Sequence, residues 1–298
     1  MRYLYFPGCS LRSTGRAYEE STLAVFRALG VPLEEVNDWN CCGATAYMSI
    51  DETQAFALAA RNLALAEQQD SGEEVNIVAP CAACFLVLTK TQHYLTEYAD
   101  VRKRVNDAIG TAGLHYAGRA RVRHPLDVIV NDLGVDAVSA CVKRRLTNLR
   151  VASYYGCQIV RPFSTFDHPQ YPTTMDRLVE AVGAKSVDWP LKTRCCGGSL
   201  TGTIQEAGLR LNRALLREAQ KRNVDMIVTA CPLCQFNLEC YQGRINRHYH
   251  ETINIPVAFF TQLLGVAFGL MDNDLGMQRL FVTPHYTPAA EKGAPVHA

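Results

Sequence analysis

The stretch Ile77-Val78-Ala79-Pro80-Cys81-Ala82-Ala83-Cys84 joins a short apolar run directly to a Cys-x-x-Cys pair. The same arrangement returns in Ile227-Val228-Thr229-Ala230-Cys231-Pro232-Leu233-Cys234, with Ile227 standing 150 positions after Ile77. Apolar runs of this length, rich in β-branched residues, are typical of strands buried inside a parallel sheet. Each stretch therefore predicts a buried strand that ends at a pair of cysteines.

Two further cysteine segments are duplicated in the same order. Phe6-Pro7-Gly8-Cys9 corresponds to Tyr154-Tyr155-Gly156-Cys157, and Asn40-Cys41-Cys42-Gly43 corresponds to Arg194-Cys195-Cys196-Gly197. Three matching segments in one order indicate an internal repeat. We assign residues 1–148 to a first cysteine-rich domain with linker helices near His115–Asn148. Residues 149–298 form a second such domain with a C-terminal extension.

Strand and helix patterns alternate within each repeat. Strands are predicted at Arg2–Phe6, Val75–Ala79, Arg150–Tyr155 and Met226–Ala230. Apolar residues at helical spacing lie between them, at Phe56, Ala59, Leu63 and Ala66 in the first repeat and at Ile204, Ala207, Leu211 and Leu215 in the second. This alternation predicts an α/β fold made of two repeated Rossmann-like domains, each with a parallel sheet.

The cysteines follow the predicted strands directly. Ligand sites in open α/β sheets lie beyond the carboxyl ends of the strands. Cysteines that are distant in the sequence can therefore converge on one edge of each sheet, and we expect the bound groups there.

Composition limits the function further. The chain has 298 residues, 48% of them apolar, and a net charge of +1, so no basic field indicates a nucleic-acid partner. The apolar run at the N-terminus is too short for a signal peptide, which predicts a cytoplasmic protein. Disulfides are rarely kept there, so the twelve cysteines are better explained by metal or redox chemistry.

Each repeat offers five thiols, and several kinds of site compete for them. Five is an odd number for disulfides, and a thioredoxin-like motif would use only the Cys-x-x-Cys pairs. Structural zinc and a simple four-iron cubane each need four thiolates and leave one idle. A larger or more open cluster, with one thiolate bridging two irons, would use all five. The ligand count alone does not decide among these alternatives.

The doubled pattern Cys-x31–39-Cys-Cys-Gly-x34–38-Cys-x-x-Cys resembles the cysteine-rich CCG domain family, and especially the B subunit of heterodisulfide reductase and its relatives in sulfur-oxidation complexes. The resemblance covers nearly the whole chain. It implies that each repeat holds a noncubane [4Fe–4S] cluster, with zinc in one repeat as a minor alternative. The implied ligands are Cys9, Cys41, Cys42, Cys81 and Cys84 for one cluster and Cys157, Cys195, Cys196, Cys231 and Cys234 for the other.

The resemblance also implies an oxidoreductase subunit that acts on sulfur groups. A disulfide would be reduced, or thiols or sulfane sulfur oxidised, between the two clusters, and no side chain is assigned a catalytic role. The chain lacks a flavin fingerprint and a ferredoxin cysteine run. A ferredoxin-like iron–sulfur subunit and a flavoprotein are therefore the expected partners. The sulfur compound and the direction of the reaction stay open.

An electron-transfer or anchoring subunit of a succinate or fumarate dehydrogenase type is the alternative. It is motivated by the uncharged segment Ile253–Met271, which we interpret as a buried helix or a peripheral membrane or partner contact rather than a membrane span.

The remaining candidates are secondary. Cys141 and Cys240 are expected to pack, and His248 and His250 to lie on the surface. Lys192 and Arg194 would attract an anionic substrate, tune the cluster potential or lie on a solvated face. Hydrogen bonds to the cluster sulfurs are expected from Thr45, Tyr155 and Gln158. Trp39 and Trp189 are expected to pack in the core.

Overall fold

Two four-stranded parallel sheets, one in each half of the chain, organise the computed structural model, which describes residues 2–44 and 50–284. The first sheet has the order β2-β1-β3-β4 and the second the order β6-β5-β7-β8. The strands of the first sheet are β1 (Tyr3–Tyr5), β2 (Glu34–Glu35), β3 (Val75–Val78) and β4 (Ala120–Arg123). Those of the second are β5 (Arg150–Tyr154), β6 (Lys185–Ser186), β7 (Met226–Thr229) and β8 (Val257–Phe259). The predicted α/β fold with two similar parallel sheets is confirmed.

Helices follow the strands, because parallel strands are usually joined by a helical crossover. In the first half they are α1 (Gly8–Leu11), α2 (Arg16–Ala28), α3 (Glu52–Gln69), α4 (Ala82–Glu97), α5 (Ala99–Gly110), α6 (Pro125–Asp127), a π-helical turn (Val128–Leu133) and α7 (Val135–Ala140). In the second half they are α8 (Thr174–Ala181), α9 (Leu200–Thr203), α10 (Gln205–Lys221), α11 (Pro232–Cys240), α12 (Gln242–Tyr249), α13 (Phe260–Ala267) and a 3₁₀ turn (Met277–Arg279).

The strands end in register, which positions the cysteine segments. In the first sheet Val78 pairs with both Tyr5 and Arg123, so β1, β3 and β4 end at one level. Thr229 pairs in the same way with Tyr154 and Phe259 in the second sheet. The segments that carry Cys9, Cys81, Cys157 and Cys231 therefore leave their sheets side by side.

The four predicted strands are present to within one residue at each end. The region predicted as the linker, His115–Asn148, contains the helices α6 and α7 and also β4, which pairs with β3. The predicted face of α10 was correct for Leu215 but wrong for two of its other members. Ile204 and Leu211 are exposed, and the buried side of this helix is formed by Gly208, Leu209, Asn212, Leu215, Leu216 and Ala219.

The two halves pack through a reciprocal contact. The helix α2, which follows the first strand of the first half, packs on α13, which follows the last strand of the second half. In return α8 packs on α7 and α6, which follow β4. The hydroxyl groups of Ser21 and Thr261 meet inside this contact at 2.7 Å. The uncharged segment Ile253–Met271 is thus used inside the fold, as β8 and the fully buried α13.

Candidate metal centre

Five cysteines of the first half line one cavity of about 370 Å³. They are Cys9, Cys41, Cys42, Cys81 and Cys84. Cys9 and Cys41 are exposed, whereas the other three are buried. The sulfurs of Cys42 and Cys84 lie 3.2 Å apart. The structure therefore gathers the five predicted thiols of the first repeat around a shared space that opens to the surface.

The Cys-x-x-Cys pair of this site stands at the start of a helix. Cys81 is the N-cap residue of α4, and Cys84 lies in the first turn. The Cys84 thiol, and then the backbone N–H groups of Cys84 and Ala83, hydrogen-bond to the Cys81 sulfur and lower the pKa of Cys81 against the opposing effect of burial. A helix N-terminus favours a thiolate, which is the form of cysteine that binds metals.

The two cysteines of the vicinal pair, Cys41 and Cys42, lie in different environments. Cys42 is buried beside Cys84, while Cys41 is exposed at the mouth of the cavity. Hydrogen bonds from the thiols of Cys41 and Cys84 lower the pKa of Cys42. The hydrogen bond to Cys42, with burial, raises the pKa of Cys41. The two neighbouring side chains thus lie in different parts of the site, which suits bonds to different metal atoms.

The second site repeats this arrangement with additional donors. The sulfurs of Cys196 and Cys234 lie 3.5 Å apart, and the backbone N–H of Gly197 donates to Cys195 over 3.2 Å. The Asn237 amide donates to the Cys196 sulfur over 3.4 Å. The hydrogen bond with Cys234, aided by Asn237, lowers the pKa of Cys196 to about 6. These donors stabilise negative charge on sulfur.

Two glycines allow the backbone to approach the sulfurs. A Cβ atom on Gly8, whose φ is +65°, would lie 2.7 Å from the Cys84 sulfur. A Cβ atom on Gly156, whose φ is +68°, would lie 3.2 Å from the Cys234 sulfur. Only glycine suits both the positive φ and the short distance to sulfur.

The two sites meet at a junction. The cavity formed by the first five cysteines is also lined by Cys231, the first cysteine of the second Cys-x-x-Cys pair. Pro232, Leu233 and Phe236 from α11 complete this wall, and the last two are partly exposed at the rim. Cysteines of both repeats therefore border one space.

A second cavity, of about 580 Å³, opens beside Cys157 and Cys195. Its wall is more polar than the apolar wall at the junction. Arg161 and Arg194 are exposed there, together with Tyr171. The two sites thus differ in the side chains that surround them.

The structure places the secondary candidates as follows. Lys192 is buried and forms an ion pair with Asp176 at 3.1 Å, so the prediction of a solvated face was wrong for this lysine. Tyr155 donates to Asp176 rather than to a sulfur.

Thr45 lies outside the described residues. Trp189 is buried and Trp39 packs against the core, while His248 and His250 are exposed, as predicted. Cys141 and Cys240 are half-buried.

Two residues at the junction were not predicted from the sequence. Tyr18 in α2 is fully buried, and after burial itself the sulfurs of Cys231 and Cys81 are the main groups that raise the pKa of its hydroxyl. His124 follows β4, with its Nε2 atom 3.2 Å from the carbonyl of Pro80, the residue before Cys81. Neither residue belongs to a motif, so the sequence carries no signal for them.

The donor set suits an iron–sulfur cluster. Thiolates are soft ligands of the kind that iron–sulfur clusters and zinc require, and backbone and amide N–H groups aimed at the sulfurs are typical of cluster sites. Among the described residues, no three Cys, His, Asp or Glu side chains converge in the manner of a site for a single metal ion. The five cysteines of the first repeat surround a cavity rather than a point.

Within residues 2–44 and 50–284, none of the helices combines the length and the apolar character needed to cross a bilayer.

Comparison with known proteins identifies both halves. The model of the cysteine-rich domain family matches residues 3–89 and 151–239. The chain is 30% identical to the 8-methylmenaquinol:fumarate reductase membrane anchor subunit of Wolinella succinogenes, over 92% of this chain and 95% of that protein. It is also 30% identical to the B subunit of the ferredoxin/F420H2-dependent CoB-CoM heterodisulfide reductase of Methanosarcina acetivorans, over 92% and 91% of the two chains.

A solved structure shares the fold. A hypothetical protein from Helicobacter pylori superposes with a TM-score of 0.75 at 13% identity, over 95% of this chain and 52% of that one. At this identity the likeness concerns the fold alone.

Proposed function

Because this chain belongs to the cysteine-rich domain family, with both repeats intact, we propose that it is the iron–sulfur subunit of a heterodisulfide reductase-like complex. Each set of five cysteines would hold one noncubane [4Fe–4S] cluster, and a sulfur–sulfur bond would be broken or formed between the two. The observation that carries the proposal is the junction, where Cys231 of the second repeat lines the cavity formed by the five cysteines of the first.

The reaction requires two electrons. Cleavage of a disulfide consumes two electrons and two protons and yields two thiols, and thiol oxidation releases the same number. Bound clusters pass electrons one at a time, and their iron stabilises thiolates as a Lewis acid. We propose that a ferredoxin-like subunit and a flavoprotein exchange these electrons with the complex. The relatives named as B subunits of heterodisulfide reductases support such a role within a complex.

The chain's own residues would hold and shield the reacting sulfurs. The N-terminus of α4 directs backbone N–H groups towards the Cys81 sulfur and stabilises its thiolate, and Cys231 caps α11 at the equivalent position of the second repeat. Pro232, Leu233 and Phe236 form an apolar wall that limits the access of water to the junction. Arg161 and Arg194 beside the second site suit a substrate arm that carries negative charge.

The test is anaerobic purification of the chain with its partners, followed by metal, sulfide and activity assays. We expect about eight irons per chain, since each four-iron cluster contributes four. We also expect reduction of CoB-CoM heterodisulfide, or of a panel of smaller disulfides, by reduced viologen. Zinc in place of iron in both repeats would overturn the cluster proposal. A full iron load without turnover of any disulfide or thiol would overturn the catalytic one.

A second function is favoured by the similarity to the fumarate reductase anchor subunit over nearly its whole length. In that case the chain would carry electrons for, or anchor, a succinate or fumarate dehydrogenase flavoprotein. Co-purification with such a flavoprotein, together with flotation of the complex with lipid vesicles, would select this function. Co-purification with a ferredoxin-like subunit and disulfide turnover would select the first.

A further inference from the structure

The helices α10 and α12 of the second half carry a local excess of positive charge. Together they contain six arginine and lysine side chains and two glutamates, a net charge of +4. The whole chain has a net charge of only +1, so everything outside these two helices sums to −3. A local charge of this kind draws oppositely charged molecules to the surface and orients them.

A groove with a volume of about 530 Å³ runs along this surface. It is lined by four cations of α10, Arg210, Arg213, Arg217 and Lys221, and by His248 and Tyr249 of α12. Two glutamates of α10 also border it, and one of them, Glu218, is paired with Arg222 at 2.8 Å. The four cations stand three or four positions apart, so they share one side of the helix. The groove thus carries a cationic stripe along its α10 side.

Part of this positive charge is not balanced within the chain. Glu251 forms an ion pair with Arg213 at 2.5 Å and lies 3.6 Å from Arg217, which neutralises the middle of the stripe. Arg210 and Lys221 are exposed, and neither forms an ion pair within residues 2–44 and 50–284. The two cations at the ends of the stripe are therefore available to carboxylates from outside the chain.

One end of the groove lies against the second cysteine site. Gly197, which follows the vicinal pair of that site, packs on α10, since an added Cβ atom would lie 3.3 Å from the Cα atom of Gly208 and 3.5 Å from the Leu211 side chain. Leu211 is next in sequence to Arg210 and is partly exposed, and Ile204 just before α10 is exposed. Apolar side chains beside a charged rim are typical of protein–protein interfaces. A protein bound here would lie close to the second site.

The surface favours an acidic protein over a lipid membrane. A helix that lies on a membrane buries an apolar face in the bilayer. The apolar side chains of α10 that would form such a face, Leu209, Leu215 and Leu216, are buried inside the fold. A cationic groove between two helices instead fits a ridge of carboxylates on a folded protein, because the charges of the two surfaces are complementary.

We propose that the groove between α10 and α12 is the docking surface for the iron–sulfur protein that exchanges electrons with this chain, and that this protein binds through an acidic face. The inference rests on the proposed function, because it requires an electron-exchanging partner and a cluster at the second site. In each transfer the partner loses one electron and the second site gains one, so two transfers supply the cleavage of one disulfide. The junction cavity is lined by residues outside α10 and α12, so a sulfur compound would still reach it with the partner bound.

The test reverses charges in the anaerobic complex of the chain with its iron–sulfur partner. Arg210→Glu/Lys221→Glu changes two exposed cations that form no ion pair among the described residues. The matched control, Arg177→Glu/Lys185→Glu, makes the same change of charge at two exposed cations of α8 and β6, which also form no ion pair there. At low ionic strength we expect about tenfold weaker binding of the partner, and about tenfold slower reduction of the chain by it, in the first variant alone. Added salt should weaken the wild-type complex.

Three further measurements separate docking from folding. Reduction by viologen, a small molecule that needs no docking surface, should stay unchanged in both variants, at unchanged iron content. Arg210→Gln/Lys221→Gln should show a smaller loss, because it removes the two charges without reversing them. Carbodiimide should join the Lys221 amine to a carboxylate of the partner, which mass spectrometry of the linked peptides identifies.

Several outcomes would overturn the proposal. These are unchanged partner binding in Arg210→Glu/Lys221→Glu, a cross-link at Lys185 with none at Lys221, or a complex that contains no iron–sulfur partner. Flotation with vesicles of phosphatidylglycerol and phosphatidylcholine that is lost in this variant, while the partner is retained, would assign the groove to lipid instead. A wild-type chain without iron, or one that turns over no disulfide or thiol, would overturn the proposed function itself, so the two failures are distinct.

Discussion

The sulfur of Cys42 lies 3.2 Å from the sulfur of Cys84, although one belongs to the vicinal pair and the other closes the Cys-x-x-Cys pair. Both side chains are buried. The vicinal segment and the start of α4 therefore depend on each other for the first site.

Replacing Cys42 with alanine should remove the cluster of the first repeat and keep that of the second. Iron per chain should fall to about half, because each cluster contributes four irons. Cys141→Ala is the control, since Cys141 lies outside both sites and its sulfur lies 3.7 Å from the carbonyl oxygen of Ala28. Iron and sulfide assays measure the result. Full iron in Cys42→Ala would contradict the ligand assignment.

Gly8→Ala should impair the first site through a direct clash. The new Cβ would lie 2.7 Å from the Cys84 sulfur, on a backbone whose φ is +65°. Gly30→Ala is a matched control, because its φ is +75° but no atom lies within 4 Å of the added Cβ. Both variants should lose about 1 kcal/mol of stability from the positive φ. Only Gly8→Ala should lose iron, and equal iron in the two variants would argue against the close approach.

Asp176→Ala should destabilise the second half strongly. Asp176 accepts hydrogen bonds from the Lys192 ammonium at 3.1 Å and the Tyr155 hydroxyl at 2.6 Å, and Lys192 is buried. Removing the carboxylate leaves a buried cation unpaired, which costs about 3–5 kcal/mol.

The control for this variant is Glu218→Ala, which breaks the more exposed pair with Arg222. Such a pair contributes about 0–1 kcal/mol. Urea unfolding at equal iron content compares the two variants. A loss as small as that of Glu218→Ala would show that the Lys192–Asp176 pair does not stabilise the fold.

Glu239→Gln should stabilise the protein above neutral pH. Burial raises the pKa of Glu239 from 4.5 to about 7. The native protein therefore binds this proton between those two values. The stabilising contribution is fully present below pH 4.5 and is lost as pH rises through about 7. A shift of this size corresponds to a few kcal/mol at most, on the order of 1.4 kcal/mol per pKa unit.

Thermal unfolding at about pH 5.5 and about pH 8.5, on either side of the raised pKa, measures this effect. The melting temperature of Glu239→Gln should exceed that of the wild type by more at the higher pH than at the lower one. Glu218→Gln, on a more exposed side chain, should show no such change with pH. Parallel pH profiles for Glu239→Gln and the wild type would contradict the raised pKa.

The central strands and the convergence of the cysteines were predictable from the sequence. Short apolar runs rich in β-branched residues identify β3 and β7, and the direction of parallel strands brings their following cysteines to one edge. The strands β2 and β6 were missed because two residues are too few to show a period. The strand β4 was missed because Arg123 interrupts the apolar pattern, although ion pairs with Asp127 and Asp132 allow it to be buried.

The burial pattern of α10 shows a second limit of predicting a buried helix face from the spacing of apolar residues. Gly208 faces inward because α9 comes so close that an added Cβ would lie 2.6 Å from the backbone of Thr201. This contact turns Ile204 and Leu211 outward. The positions of Tyr18 and His124 were missed for a related reason, since their contacts with the other half arise only where the two halves meet. A pattern of apolar residues records which positions avoid water but not which neighbours they meet.

The reciprocal packing of α2 on α13 and of α8 on α7 has a consequence for the history of the molecule. Equivalent helices of each half use equivalent surfaces of the other, which is the symmetry of an isologous homodimer. In such a homodimer both subunits have the same sequence, so their two sites are identical. Joining the two copies in one chain releases that constraint. Leu233 and Phe236, which are apolar, can then border the junction, while the cationic Arg161 and Arg194 border the second site. A molecule with one apolar end and one negatively charged end would suit this arrangement, although the two halves share one fold.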